Sequence, residues 1–257
     1  MKISKYDFIT KKEGIDLHIA CVSDLHARPY EKVIKALKKI APQIILLVGD
    51  IVELAAPYRE ERNRVAFEFL KECSKIAPTY YTYGNHETYN CHTSDETKKF
   101  SDPKISARYI ELIKSYGITL VNDTFISLYE DTVTLGGLVC GKAMRDDLGV
   151  NEPDLDFLNR FNSINGYKIL MCHYPHFYEK YLMDTNIDLI ISGHAHGGQW
   201  RFFGQGIYSP HQGLFPKYTS GVHDGRLLIS RGAANNSKPI PRIFNSCEVL
   251  EITVKSK

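Results

Sequence analysis

The run Ile44-Ile45-Leu46-Leu47-Val48 ends on Gly49-Asp50. It is too short for a buried helix and shows no apolar–polar alternation, so it reads as a strand covered on both faces. Such strands belong to layered α/β proteins, where binding groups collect in the loops at strand carboxyl ends. The same arrangement recurs on either side. Leu17-His18-Ile19-Ala20-Cys21-Val22 leads into Asp24-Leu25-His26, and Thr79 to Tyr83 leads into Gly84-Asn85-His86-Glu87. Tyr167 to Cys172 ends at His173, and Asp188 to Ser192 ends at Gly193-His194-Ala195-His196.

Helical periodicity separates these runs. Val33, Ile34, Leu37 and Ile40 share one face, with Lys35, Lys38 and Lys39 on the other. Val65, Phe69, Leu70 and Cys73 mark a second helix within 60–76, and Ile105 to Tyr116 a third, closed by Gly117. Asp154 to Phe161 and His176 to Met183, the latter preceded by Pro175, are read as short helices. Thr119 to Val121, Phe125 to Tyr129, Thr132 to Leu138, Leu227 to Ser230 and Glu248 to Val254 read as further strands. Few helices separate the late strands, so an antiparallel or mixed sheet is expected there. Tyr89 to Pro103 reads as a polar surface excursion, and Trp200 to Ser220 as a loop rich in Gly, Pro and aromatics. No linker or repeat interrupts the pattern, which predicts one α/β domain over residues 1–257.

With 257 residues, 43% hydrophobic and 24% charged, the chain can bury one sizeable core. A formal net charge of +2 predicts no nucleic-acid-binding face, while leaving phosphate recognition by local groups open. Cys21, Cys73, Cys91, Cys140, Cys172 and Cys247 contain no Cys-x-x-Cys pair, and they read as reduced thiols rather than metal ligands. Met1 to Asp7 is mixed polar without a signal-peptide core, and no run reaches about 20 apolar residues. A cytoplasmic location is the expectation, with a position peripheral to a membrane as its alternative.

The strand-end residues supply oxygen and imidazole nitrogen donors, which suit divalent cations. Singly, each has a mundane explanation: Asp24-x-His26 as a cap, Gly49-Asp50 as a turn, His173 as a satisfied core histidine. Five such placements in one chain are different. Collecting Asp24, Asp50, His173, His194 and His196 in a core without a cation would leave costly polar groups unmatched.

The ordered series Asp24-x-His26, Gly49-Asp50, Gly84-Asn85-His86-Glu87, His173 and Gly193-His194-x-His196 resembles the calcineurin-like metallophosphoesterases. The extension through Gly197-Gly198-Gln199, with Ser230-Arg231-Gly232 and Pro241-Arg242, is similar to a bacterial YkuE/YaeI-like branch. The resemblance runs from Ile19 to Val254. It implies a four-layer αββα sandwich with two mixed sheets, and two divalent cations (Mn, Fe or Zn) bridged by a carboxylate and a hydroxide. By position it implies that Asp24, His26, Asp50 and His196 hold one metal, and that Asp50, Asn85, His173 and His194 hold the other. His86 takes the role of the histidine that meets the phosphate and assists the leaving oxygen.

The resulting expectation is a metal-dependent phosphoric ester hydrolase, with a phosphodiester as the favoured substrate. Alternatives are a phospholipid or nucleotide-sugar pyrophosphohydrolase, and a non-catalytic metal-binding scaffold for a protein partner. A metallo-β-lactamase-like reading would place His-x-His early, and here it comes late. Arg28, two residues after His26, is a candidate phosphate contact; Tyr89 and His92 are weaker cleft candidates. Glu87 is read either as a partner that orients His86 or as solvent-facing. Trp200, Phe202, Phe203, Tyr208 and Phe215 are read as a cover packed on the sheet, with a wall for a lipid-linked substrate as the alternative.

Overall fold

The computed structural model describes residues 1–53, 60–88, 103–139, 152–235 and 241–257. Its strands, in order, are β1 (Lys2–Thr10), β2 (Asp16–Val22), β3 (Ile44–Val48), β4 (Thr79–Thr82), β5 (Thr119–Leu120), β6 (Thr124–Leu128), β7 (Val133–Leu138), β8 (Tyr167–Cys172) and β9 (Leu189–Ser192). They continue with β10 (Arg201–Phe202), β11 (Gln205–Gly206), β12 (Tyr208–Ser209), β13 (Gly213–Leu214), β14 (Gly221–His223), β15 (Leu227–Ile229) and β16 (Glu248–Ser256). The helices are α1 (Glu31–Ile40), α2 (Glu60–Ser74), α3 (Asn85–Thr88), α4 (Pro103–Ser115) and α5 (Leu155–Asn162).

Two six-stranded sheets result, ordered β1-β16-β2-β3-β4-β5 and β14-β15-β9-β8-β7-β6. Both are mixed. In the first, β2 to β5 run parallel and β16 lies antiparallel to β2. In the second, β15, β9, β8 and β7 run parallel, while β14 and β6 are antiparallel edges.

The uninterrupted run of β3 shows why both faces are apolar. Ile44, Leu46 and Val48 point one way, into a core shared with Leu135, Ile169, Met171 and Ile191 of the second sheet. Ile45 and Leu47 point the other way, onto Leu37 of α1, Phe69 and Leu70 of α2 and Ile113 of α4. A third cluster packs Phe157, Leu158 and Phe161 of α5 on Leu170 and Ile190. These clusters give four layers: helices, sheet, sheet, helix. Each fully buried Leu, Ile or Phe contributes about 1.5–3 kcal/mol relative to exposure.

The first sheet approaches β7 closely at Gly137, and α5 approaches its other face at Gly136. A Cβ on Gly137 would lie 1.8 Å from the Val121 carbonyl oxygen, and one on Gly136 would lie 2.7 Å from the Phe161 ring. Glycine normally weakens a strand, and here it makes room for the neighbouring backbone.

The structure adds one strand to the sequence reading and changes two of its expectations. Lys2 to Asp7 lies in β1, an edge strand parallel to β16, which shields the otherwise open side of that strand. Its half-buried alternation was hidden by charged residues on the outer face. Trp200 to Ser220 holds two short hairpins, β10–β11 and β12–β13. His176 to Met183 is not a regular α-helix; it contains a π-helical turn at Tyr178–Leu182. Tyr89 to Pro103 falls almost entirely outside the described residues. Cys21, Cys73, Cys172 and Cys247 are free thiols, and burial raises the pKa of Cys21 and Cys73.

Gly137→Ala should destabilise the fold by about 1–3 kcal/mol, because the Val121 backbone must shift to admit a methyl group. Urea unfolding monitored by circular dichroism measures it; an unchanged midpoint would contradict the close approach.

Candidate metal centre

The parallel strands β2, β3 and β4 of one sheet and β8 and β9 of the other end at the same edge of the sandwich. Backbone hydrogen bonds tie their loops together: Asp24 N to Gly49 O (3.0 Å), His26 N to Asp50 O (2.9 Å) and Gly193 N to His173 O (3.1 Å). Several of the loop residues adopt left-handed backbone conformations, with φ of 53° at Asp24, 52° at His26, 55° at Asp50, 65° at His194 and 46° at His196. Each costs about 1–2 kcal/mol in a non-glycine residue, and the surrounding hydrogen bonds hold the strain in place. The adjoining glycines are equally constrained. A Cβ on Gly49 would sit 2.4 Å from His173 Nδ1, and one on Gly193 would sit 2.6 Å from Asp24 Oδ2.

Among the described residues the side chains meet in three groups: Asp24 with His26 and His196, Asp50 with His173 and His194, and His26, shared with the first group, with Glu53 and His86. His26 Nε2 lies 3.1 Å from His196 Nε2, and His196 Nε2 lies 3.5 Å from Asp24 Oδ1. Asp50 Oδ2 is 3.1 Å from His173 Nε2, and 3.9 Å from both His26 Nε2 and His86 Nε2. Its other oxygen, Oδ1, accepts the His86 amide at 2.9 Å. Only Oδ2 therefore faces both groups, which narrows the carboxylate's inward-facing donors to one atom. Asn85 is buried at the start of α3, on the same loop as His86.

The outward nitrogens of the rings are held. His26 Nδ1 lies 2.8 Å from Glu53 Oε1, His86 Nδ1 lies 2.9 Å from Glu53 Oε2, and His173 Nδ1 donates to Val48 O at 2.8 Å. This leaves each Nε2 directed into the centre, the arrangement that orients metal-binding histidines. Arg242 donates to His196 Nδ1 at 3.1 Å.

Charge and burial separate these groups. Burial raises the pKa of Asp24, against the pull of His173 and His26. Burial also opposes the ionised form of Asp50, but His173, His86 and His26 together hold it well below the usual carboxylate range. For His173 burial opposes protonation, and the Asp50 charge outweighs it, pushing the ring up to about 10. Burial likewise opposes protonation of His86; Asp50 and Glu53 outweigh it and push the ring up to about 9. Burial keeps His194 and His196 well below the ordinary histidine value, aided by His173 for the former and His26 for the latter. Neutral imidazoles can donate a lone pair to a cation; protonated ones must first release a proton.

These residues fit a pair of cations. The buried Nε2 atom of His194 has no hydrogen-bond partner among the described residues, an expensive condition that a cation relieves. The donors are carboxylate oxygens and imidazoles without thiolates, as Mn, Fe or Zn accept.

The sequence reading overlooked Glu53 and misassigned Glu87. Glu53 follows Asp50 by three residues and is 1% exposed, and a Gly-Asp-x-x-Glu spacing was its only signal. Glu87 does not face solvent. It is fully buried, and its carboxylate accepts the amides of Asp50 (2.9 Å), Ile51 (2.6 Å), Val52 (3.1 Å) and Gly84 (2.7 Å) and the Tyr81 hydroxyl (2.6 Å). Arg28 lines a groove of about 800 Å³ with Lys32, Ala233, Ala234, Pro241 and Cys247. That groove adjoins the centre through Ala234 N, which donates to Asp24 O at 3.0 Å. Tyr89 and His92 lie outside the described residues. The aromatic loop is not a cover packed on the sheet, since Phe202, Phe203, Tyr208 and Phe215 are all exposed.

The family model described as calcineurin-like phosphoesterase matches residues 17–198, which include every strand-end cluster. The chain belongs to that family. It is a metal-dependent phosphoester hydrolase. Among curated relatives, the uncharacterised metallophosphoesterase YkuE of Bacillus subtilis is 25% identical over 91% of this chain and 77% of its own length. The uncharacterised metallophosphoesterase Cj0846 of Campylobacter jejuni is 26% identical over 94% of this chain, which spans 58% of that longer protein. A dimetal phosphatase from Danio rerio aligns with a TM-score of 0.48 at 12% identity, covering 84% of this chain and 87% of its own.

Glu53→Gln should weaken metal binding about 10–100-fold, because an amide cannot accept from both histidines; isothermal titration with Mn²⁺ reads this directly. Glu87→Gln should lower stability by about 3 kcal/mol or more, since its NH₂ would face amide donors in a buried site. Chemical denaturation checks it, and a loss below about 1 kcal/mol would deny Glu87 this role.

Proposed function

We propose that the protein hydrolyses phosphodiesters at a two-cation centre. In this reading Asp24, His26 and His196 hold one cation, and Asn85, His173 and His194 hold the other, with Asp50 shared between them. The observation that carries it is the position of Asp50 Oδ2, within 3.9 Å of histidine nitrogens from both groups. Two bound cations supply Lewis acidity, offsetting phosphate charge and lowering the pKa of attacking water.

The chain's own residues do the rest. Glu53 restrains the His26 and His86 rings through their Nδ1 atoms, and this fixes the direction of both Nε2 atoms. The His86 side chain is 18% exposed, against 1% for His26 and 0% for His173, so it is the ring that an incoming substrate can reach. Asp50 and Glu53 favour its protonated form. His86 Nε2–H therefore donates to a phosphate oxygen and passes its proton to the departing alkoxide, a contribution of about 10²–10⁴ in rate.

A diester needs room for a second esterified arm. The groove lined by Arg28 and Lys32 provides that room beside Asp24, together with positive charge. The same two cations support a second reading, hydrolysis of a pyrophosphate-linked substrate whose second phosphate occupies this groove. Phosphorylated small molecules and lipid-linked phosphates both fall within these chemistries.

Asp50→Asn should reduce kcat/KM on bis(p-nitrophenyl) phosphate by about 10³-fold or more, and His86→Gln by about 10²–10⁴-fold, both assayed with added Mn²⁺. Full activity in either variant would overturn the corresponding assignment. A higher kcat/KM on a pyrophosphate substrate than on the diester would favour the second reading.

A further inference from the structure

The edge of the molecule beside the metal centre carries phenylalanines where folding gains nothing from them. Phe203 is 109% exposed, Phe244 79% and Phe215 67%. All three also have left-handed backbone conformations, with φ of 49°, 51° and 53°. An aromatic residue at an exposed, strained turn stabilises neither the turn nor a core. Phe202 and Phe244 meet edge-on at 5.7 Å and, with Phe203 and Arg201, line an apolar notch of about 400 Å³. The notch joins two segments stitched together by Arg201 N to Ile243 O (3.0 Å) and the Trp200 indole to Pro241 O (2.9 Å). Asn245 donates to His196 O at 2.7 Å, so the aromatic edge is anchored to the metal-centre loop.

The two segments that form this edge contribute cations but no carboxylate of their own. No Asp or Glu occurs from Gly193 to Val222, nor from Gly225 to Cys247. Lys217 and Arg231 are matched by Glu179 and Glu248. Arg201 bonds to Gly197 O, Gly204 O and Thr219 Oγ1, and Arg242 bonds to Arg231 O, Ala234 O and His196 Nδ1; none of these partners is a carboxylate. Pro241 continues the edge into the groove of Arg28 and Lys32, which have no carboxylate partner among the described residues.

We propose that this edge inserts into the interfacial zone of an anionic lipid bilayer, with Phe202, Phe203 and Phe244 among the acyl chains and the cations of the adjoining groove against the headgroups. Exposed aromatic rings beside the cations Arg28 and Lys32 match that zone, where rings sit at the headgroup–acyl boundary and each Lys or Arg gains from the negative surface potential. The anchoring of Asn245 to His196 then holds the metal centre at the lipid surface. This docking does not depend on which phosphate ester is cleaved.

Co-sedimentation with vesicles tests it. The full chain should pellet with phosphatidylcholine–phosphatidylglycerol vesicles and bind pure phosphatidylcholine more weakly. The double variant Phe203→Ser/Phe244→Ser should lose about 100-fold in vesicle affinity, about tenfold per ring. Lys32→Gln should lose about fivefold on the anionic vesicles only. The phenylalanine variant should keep its activity on soluble bis(p-nitrophenyl) phosphate, separating lost docking from lost catalysis. Wild-type protein remaining in the supernatant, or a double variant that pellets equally well, overturns the proposal. So does a concentration-dependent dimer that the double variant abolishes, because a second copy would then cover the edge.

Discussion

The buried carboxylate of Glu87 gathers the amides of Asp50, Ile51, Val52 and Gly84 at one point. These groups follow β3 and β4 and would otherwise be orphaned donors inside the protein. Satisfying them fixes the left-handed turn at Asp50, which aims Oδ2 inward and gives Oδ1 to the His86 amide. The rest of the centre is built around that oxygen. Burial raises the pKa of Glu87, with the Asp50 charge adding to it, so a group under electrostatic stress holds the site in shape.

The histidines show the same dependence on a surrounding shell. Each inward Nε2 is aimed by what its Nδ1 meets: Glu53 for His26 and His86, Val48 O for His173, Arg242 for His196. Glu53 links the His26 ring to the partly exposed His86 ring, so one carboxylate orients both. Strain in the backbone and crowding at Gly49, Gly84 and Gly193 leave these rings little freedom. The cost is accepted at this edge because two sheets, packed through a common core, hold the loops from both sides.

Much of this was legible in the chain. Apolar runs ending in Asp, Asn or His marked the strand ends, and their order carried the family. Apolar runs without alternation marked sheets covered on both faces. Other features had no local signal. β1 is a strand only because β16 lies beside it, and its charged outer residues conceal the pattern. The hairpins β10–β11 and β12–β13 are two-residue pairings, below the length at which periodicity is readable. The aromatic rings beyond Gln199 have the composition of a core and the exposure of a surface, and composition alone assigned them inward.

By itself the sequence determined which side chains could serve as donors and that they follow strands. Periodicity and residue chemistry are local properties, and five strand ends carry them openly. Tertiary structure alone decided which donors share a centre, which oxygen of Asp50 faces both groups, and that Glu53 joins His26 to His86 while Glu87 holds backbone. Those outcomes depend on distances between residues far apart in the chain, set by sheet register and by the close packing of two sheets. An acidic residue in a turn looks the same in sequence whether it ends up binding amides, aiming imidazoles or facing water.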